Sequence, residues 1–130
     1  MQKVVAHAMG LGLRVKWRDL GRRNGELTSG GLILVNPRKP RIVQRCTVAH
    51  EAGHYWHGHD WTRDHDRARD EWQADSYAAQ LLISPAEYAL AERLHGPHPG
   101  AIAKELDVTR RIVEVWQRNL EQSRTAWLIA

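Results

Sequence analysis

A chain of 130 residues, 42% of them hydrophobic, carries enough apolar material for one globular domain, and no apolar run approaches the ~18 residues that a membrane span requires. Its single cysteine, Cys46, excludes an internal disulfide framework and suits a reducing cytoplasm. The net charge of +4 is uneven: residues 1–45 carry ten Lys or Arg against Asp19 and Glu26, a local +8 that either keeps the surface solvated or draws in an acidic polypeptide or a phosphate backbone.

Residues 2–10 suit a short helix. The stretch from Val4 to Leu13 does not read as a secretion signal, because His7 interrupts it and basic residues follow. Leu13, Val15 and Trp17 then alternate with Arg14, Lys16 and Arg18, the period of a half-buried strand. Gly21 to Gly25 supplies a turn, after which Glu26 to Thr28, Ser29-Gly30-Gly31 and Leu32 to Val35 read as a hairpin that Asn36-Pro37 ends. All strands come early, which predicts a short antiparallel sheet near the N-terminus packed on a mainly helical body, an α+β fold. From about Pro40 to Gly58, Ile42, Val43, Cys46, Val48, Ala49 and Ala52 recur at helical spacing. A second helix is expected from Arg67 to Leu82, and Ser84-Pro85 starts a third. His95 to Gly100 reads as a loop, and helices at about 101–106 and 109–121 form a helix-turn-helix-like pair within a single domain over 1–130.

The first of the long helices carries His50-Glu51-Ala52-Gly53-His54, an H-E-x-x-H pattern. Residues four apart differ by ~40° around a helix and ~6 Å along it, so both imidazoles reach one metal ion. Glu51 projects beside them, placed to take a proton from water and not to bind the ion. Gly53 costs the helix about 1 kcal/mol relative to alanine, which a packing constraint would explain. Catalytic sites of this kind use three protein ligands and leave one position open. Asp60 sits at the last position of the longer H-E-x-x-H-x-x-G-x-x-[H/D] pattern, but His57 fills the glycine position of that pattern. Glu71 is better placed, because Glu71 and Asp75 lie four apart on the second helix. Glu71 would coordinate the ion while Asp75 accepts the free N–H of a ligand histidine.

The blocks Thr47-Val48-Ala49-His50-Glu51-Ala52-Gly53-His54-Tyr55 and Glu71-x-x-Ala74-Asp75-x-Tyr77-Ala78-Ala79-x-Leu81-Leu82-Ile83-x-Pro85 resemble the ImmA/IrrE family of metallopeptidases, as does Gly31 to Pro37 before them. The resemblance covers roughly residues 25 to 120. It implies a small zincin-like domain, His50, His54 and Glu71 as ligands of zinc (manganese or iron being compatible with the same donors), and Glu51 as the base of an endopeptidase. It also implies a protein substrate, a helix-turn-helix repressor of a phage, mobile element or stress response. Tyr77 stands where the family commonly has Phe, and the chain has no room for the extra domains of longer members.

The peptide is expected to add as a strand at the sheet edge formed by Leu32, Ile33, Leu34 and Val35. Cys46 and His57 extend the histidine stripe, but Cys46 suits packing and His57 lies ~10 Å along the axis from His50, too far to share an ion easily. His59 and His65 read as solvent-exposed. His95, His98, Tyr55 and Tyr77 are candidates for oxyanion stabilisation by chemistry alone. Trp17, Trp72 and Trp116 follow apolar periodicities and suit the core. Two rival functions remain. One is DNA reading by Arg110, Arg111 and Arg118 of the C-terminal pair, against which Asp107 in the turn and the acids Glu105 and Glu114 argue. The other is a metal-binding or toxin-like partner without turnover.

Overall fold

The computed structural model describes residues 1–59 and 66–129, with side chains to Ala126, in the order α1 (Gln2–Gly10), β1 (Arg14–Trp17), β2 (Gly25–Leu27), β3 (Leu32–Val35), α2 (Arg41–Trp56), α3 (Arg67–Leu82), α4 (Pro85–His95), α5 (Pro99–Leu106) and α6 (Arg110–Ile129). Asp60 and His65, weighed above as ligand and surface histidine, lie outside the described residues. No helix among those described is long and apolar enough to cross a membrane. The α+β class stands: a small sheet near the N-terminus, then helices.

The sheet is mixed, not antiparallel, with strand order β1-β3-β2. The hairpin forms as its turn residues require, Gly25 to Leu27 opposing Val35 to Ile33 in antiparallel register. β1, however, runs parallel to β3, Arg14 opposite Leu32 and Trp17 opposite Val35. Residues 18–24 leave β1 at the Val35 end and cross that end of β3 to begin β2 on its far side. Asn36, fully buried, ties the crossing down by donating to the carbonyls of Gly21 and Arg23. The most apolar strand thereby takes the centre, with Ile33 and Val35 fully buried. This overturns the expected docking edge: both edges of Leu32 to Val35 are already paired, so no peptide can add there.

α2 packs against α1, β2, β3 and α3, which makes it the axis of the domain. Gly53 on its inner face meets Ala74 of α3, and Ala49, Ala52, Ala74 and Ala78 are all fully buried, small residues on both helices that let the two backbones come close. A Cβ at Gly53 would stand 2.8 Å from the Ala74 carbonyl oxygen and 2.9 Å from its Cα, and that is the constraint for which the helix accepts a glycine. Two side-chain caps fix where the next helices begin. Asp66 accepts from the Arg69 N–H at the start of α3, and Ser84 accepts from the Glu87 N–H, with Pro85 in the first turn of α4.

α5 begins two residues before expectation, at Pro99, whose missing N–H costs nothing in a first turn. Asp107 adopts the left-handed conformation (φ 54°) between α5 and α6, the position glycine commonly fills. In the resulting helix pair each of these cations has a partner within the domain: Arg111 pairs with Asp75 on α3, Arg118 lies over the Trp72 ring, and Arg110 pairs with Glu114. Trp17 departs from its expected core position, being 46% exposed at the end of an edge strand, where its indole N–H donates to Gln44.

Candidate metal centre

The close approach at Gly53 and Ala74 brings the histidine stripe of α2 against the acids of α3. His50 Nε2 and His54 Nε2 lie 3.0 Å apart, and the Glu71 carboxylate is 3.1 Å from the first and 3.2 Å from the second. These three side chains offer one ligand atom each within 4.8 Å of one another, the only such group among the described residues. Two imidazole nitrogens and one carboxylate oxygen, with a fourth side open, are the donor set of a catalytic zinc site, so the residues present fit that ion.

The tautomer of His50 is set from behind. Its Nδ1 lies 2.8 Å from Asp75 Oδ1, an acceptor, so Nδ1 carries a hydrogen and Nε2 is the atom left to meet an ion, beside Glu71 and His54. The other Asp75 oxygen accepts from Arg111 Nε at 3.2 Å, which anchors this carboxylate to α6. The DNA-reading alternative would turn Arg111 to phosphate or bases; no periodicity could reveal that it reaches a residue 36 positions upstream.

Charges follow from these contacts. Burial opposes a proton on His50, but its hydrogen bonds to Asp75 and Glu71 and the charge of Glu51 outweigh that and raise its pKa from 6.5 to about 10. His54 goes the other way, to about 4, through burial and the neighbouring His50 charge. The hydrogen bond from His50 draws Glu71 down to about 2, against its partial burial. Burial lifts Glu51 to about 7, with Glu71 and Glu26 adding to the rise, while His50 and the Leu27 N–H hold it back. Without an ion, then, His50 is a cation between carboxylates at neutral pH. A metal takes only the unprotonated ring, so its binding should expel about one proton, and below pH 10 apparent affinity should rise about tenfold per pH unit. Calorimetry of zinc binding at pH 7.5, about 2.5 pH units below that pKa, in two buffers of different ionisation enthalpy reads this directly; identical heats would show that His50 holds no such proton.

An open cleft of about 390 Å³ runs past the cluster, lined by His50, Glu51, Glu71 and Asp75, by Asn24 and Gly25 of the β2 side, and by Thr109 and Arg111 of α6. The ladder pairs Asn24 with Asn36 and Thr28 with Leu32, so the alternation of an antiparallel pair turns the N–H and C=O of Gly25 and Leu27 away from β3. The sheet's free edge at the cleft is therefore β2.

His95, His98, Tyr55 and Tyr77 do not line the cleft. His95 instead pairs with Glu105, and Tyr77 bonds His7 at 2.5 Å. His57 is exposed and stacks on His59, outside the ligand cluster. Cys46 is buried against Thr109, where burial pushes its thiol pKa up, as suits a small packed side chain. His59 was read as a surface residue, yet its side chain is only 7% exposed. Past the end of α2, it gave no helical spacing by which to be found.

The sequence model of one protein family, Peptidase M78 with the description IrrE N-terminal-like domain, matches residues 8–115. No curated protein matches the chain.

Proposed function

The chain belongs to the IrrE N-terminal-like family of M78 peptidases, a metallopeptidase type, and from that premise we propose a zinc-dependent endopeptidase in which His50, His54 and Glu71 hold the ion and Glu51 is the general base. The observation that carries this reading is the convergence of two Nε2 atoms and one carboxylate from two helices beside a cleft that also contains Glu51. A zinc ion in that donor set supplies Lewis-acid polarisation of a carbonyl and acidifies water; manganese or iron suits the same donors less selectively. Glu51 takes the proton of the attacking water on its carboxylate and passes it to the leaving amine. Its raised pKa, about 7, matches that task near neutral pH, and the Leu27 N–H orients it.

The substrate strand docks along β2, where Gly25 offers an outward N–H and C=O beside the cleft. A strand-wise contact alternates, so single N-methylation along a cleaved peptide should slow cleavage about tenfold at alternate amides, one lost hydrogen bond each. Uniform tolerance of methylation would exclude this docking mode.

The substrate proposed is a helix-turn-helix transcriptional repressor met in the cytoplasm, a step that rests on family likeness and on the basic first third as an attractor of acidic polypeptide. Incubation with the repressor encoded beside its gene should yield two fragments by mass, and none when a chelator is present. An intact repressor with metal-loaded protein would remove that substrate.

A further inference from the structure

His50 owes its orientation to a carboxylate behind it. At His54 the Nδ1 atom lies 2.8 Å from Nδ1 of His59. The far nitrogen of His59, Nε2, is 2.8 Å from Gln73 Oε1 and 3.3 Å from Asp70 Oδ1. Asp70 is 1% exposed, and that oxygen makes no hydrogen bond. A buried carboxylate oxygen with no hydrogen-bond partner, 3.6 Å from Arg69 Nη2, therefore faces the outer nitrogen of a second imidazole, itself enclosed, one step behind a proposed ligand.

For two rings that carry one hydrogen each, these contacts favour one arrangement of hydrogens. A carboxylate accepts and does not donate, so a lone pair on His59 Nε2 would face Asp70 unfavourably; an N–H there meets the carboxylate and donates to Gln73. With one hydrogen on the ring and that hydrogen on Nε2, His59 has its lone pair on Nδ1. Only one hydrogen fits between two Nδ1 atoms 2.8 Å apart, and it must then be carried by His54. His54 in that form presents its Nε2 lone pair to the point shared with His50 Nε2, 3.0 Å away, and Glu71 Oε1, 3.2 Å away. The opposite arrangement would place the His54 hydrogen on the atom that has to bind the ion.

We propose that His59, held by Gln73 and Asp70, is a positioning residue that fixes His54 in the tautomer able to bind a metal. This rests on the ligand assignment above. Both ligand imidazoles are thereby oriented by a carboxylate of α3, His50 by Asp75 directly and His54 by Asp70 through a second ring.

The test measures zinc affinity of the full chain by competition with a chromophoric chelator. His59→Phe removes the acceptor and should weaken zinc binding about 10- to 100-fold, the range for loss of such a partner, whereas His59→Asn, which keeps an acceptor near the Nδ1 position, should recover most of it. Thermal unfolding of the metal-free variants tells loss of folding apart from loss of affinity. Nitrogen-15 imidazole spectra of the zinc-loaded wild type need no variant: His59 should carry its hydrogen on Nε2. A wild type that binds no zinc would overturn this proposal together with the ligand assignment. Zinc-binding wild type with a folded His59→Phe within about twofold of it, or with His59 protonated on Nδ1, overturns this proposal alone.

Discussion

Glu51→Gln should keep the metal and lose the chemistry: zinc affinity within a few-fold of wild type, with hydrolysis down about 100- to 10,000-fold, the usual contribution of a positioned general base. The substitution removes the group that accepts the proton and keeps its size. Since Glu51 lies outside the ligand cluster, no donor to the ion is lost. Its carboxyl is half-buried and lifted to about 7, so the neutral amide sits in a place already unfriendly to charge and the fold should tolerate it. The informative comparison is cleavage of one peptide by metal-loaded wild type and variant, with metal content measured on the same samples. A variant that cleaves as fast as wild type would show that Glu51 is not the base, and one that loses its metal would show that it belongs among the ligands.

Gly53→Ala carries the second large effect, and its sign is diagnostic. In an open helix the change would stabilise by about 1 kcal/mol, because alanine is the better helix former. Here the new methyl would lie 2.8 Å from the Ala74 carbonyl oxygen and 2.9 Å from Ala74 Cα. Both are backbone atoms of the opposing helix, so no side-chain rotation relieves the contact and α2 must move from α3. The expected outcome is a net loss of about 1 to 3 kcal/mol by denaturant unfolding, as for overpacked cores. Metal affinity should fall as well, because Glu71 and Asp75 ride on the helix that is displaced. A Gly53→Ala chain more stable than wild type would sink the account of why glycine stands there.

Much of this architecture was readable from residue order. The hairpin, the α2 stripe and the α3 bounds all follow from local signals: Ser29-Gly30-Gly31 turns the chain, apolar spacing marks α2, and Asp66 caps the start of α3. That Asp75 would meet a histidine of α2 was legible because both helices have a definite period; that the histidine is His50 was not. Strand order was not. Alternation in Leu13 to Trp17 says which face of β1 is apolar but not which neighbour it takes, and seven residues can either return beside β1 or cross β3. His59 and Arg111 were missed for a related reason: one follows the end of a helix and the other acts across 36 residues, so neither gives a local repeat.

The two rims of the small sheet have opposite fates. Along β1, exposed Arg14 and Lys16 set positive charge on a strand that another chain would otherwise be free to zip onto, a known guard against unwanted association. Along β2, Gly25 turns its N–H and C=O away from β3, and the groove with Glu51 lies alongside. With docking along β2 as proposed, an extended polypeptide would be turned away at one rim and admitted at the other, so the arrangement that hides Leu32 to Val35 would also leave a single direction of approach.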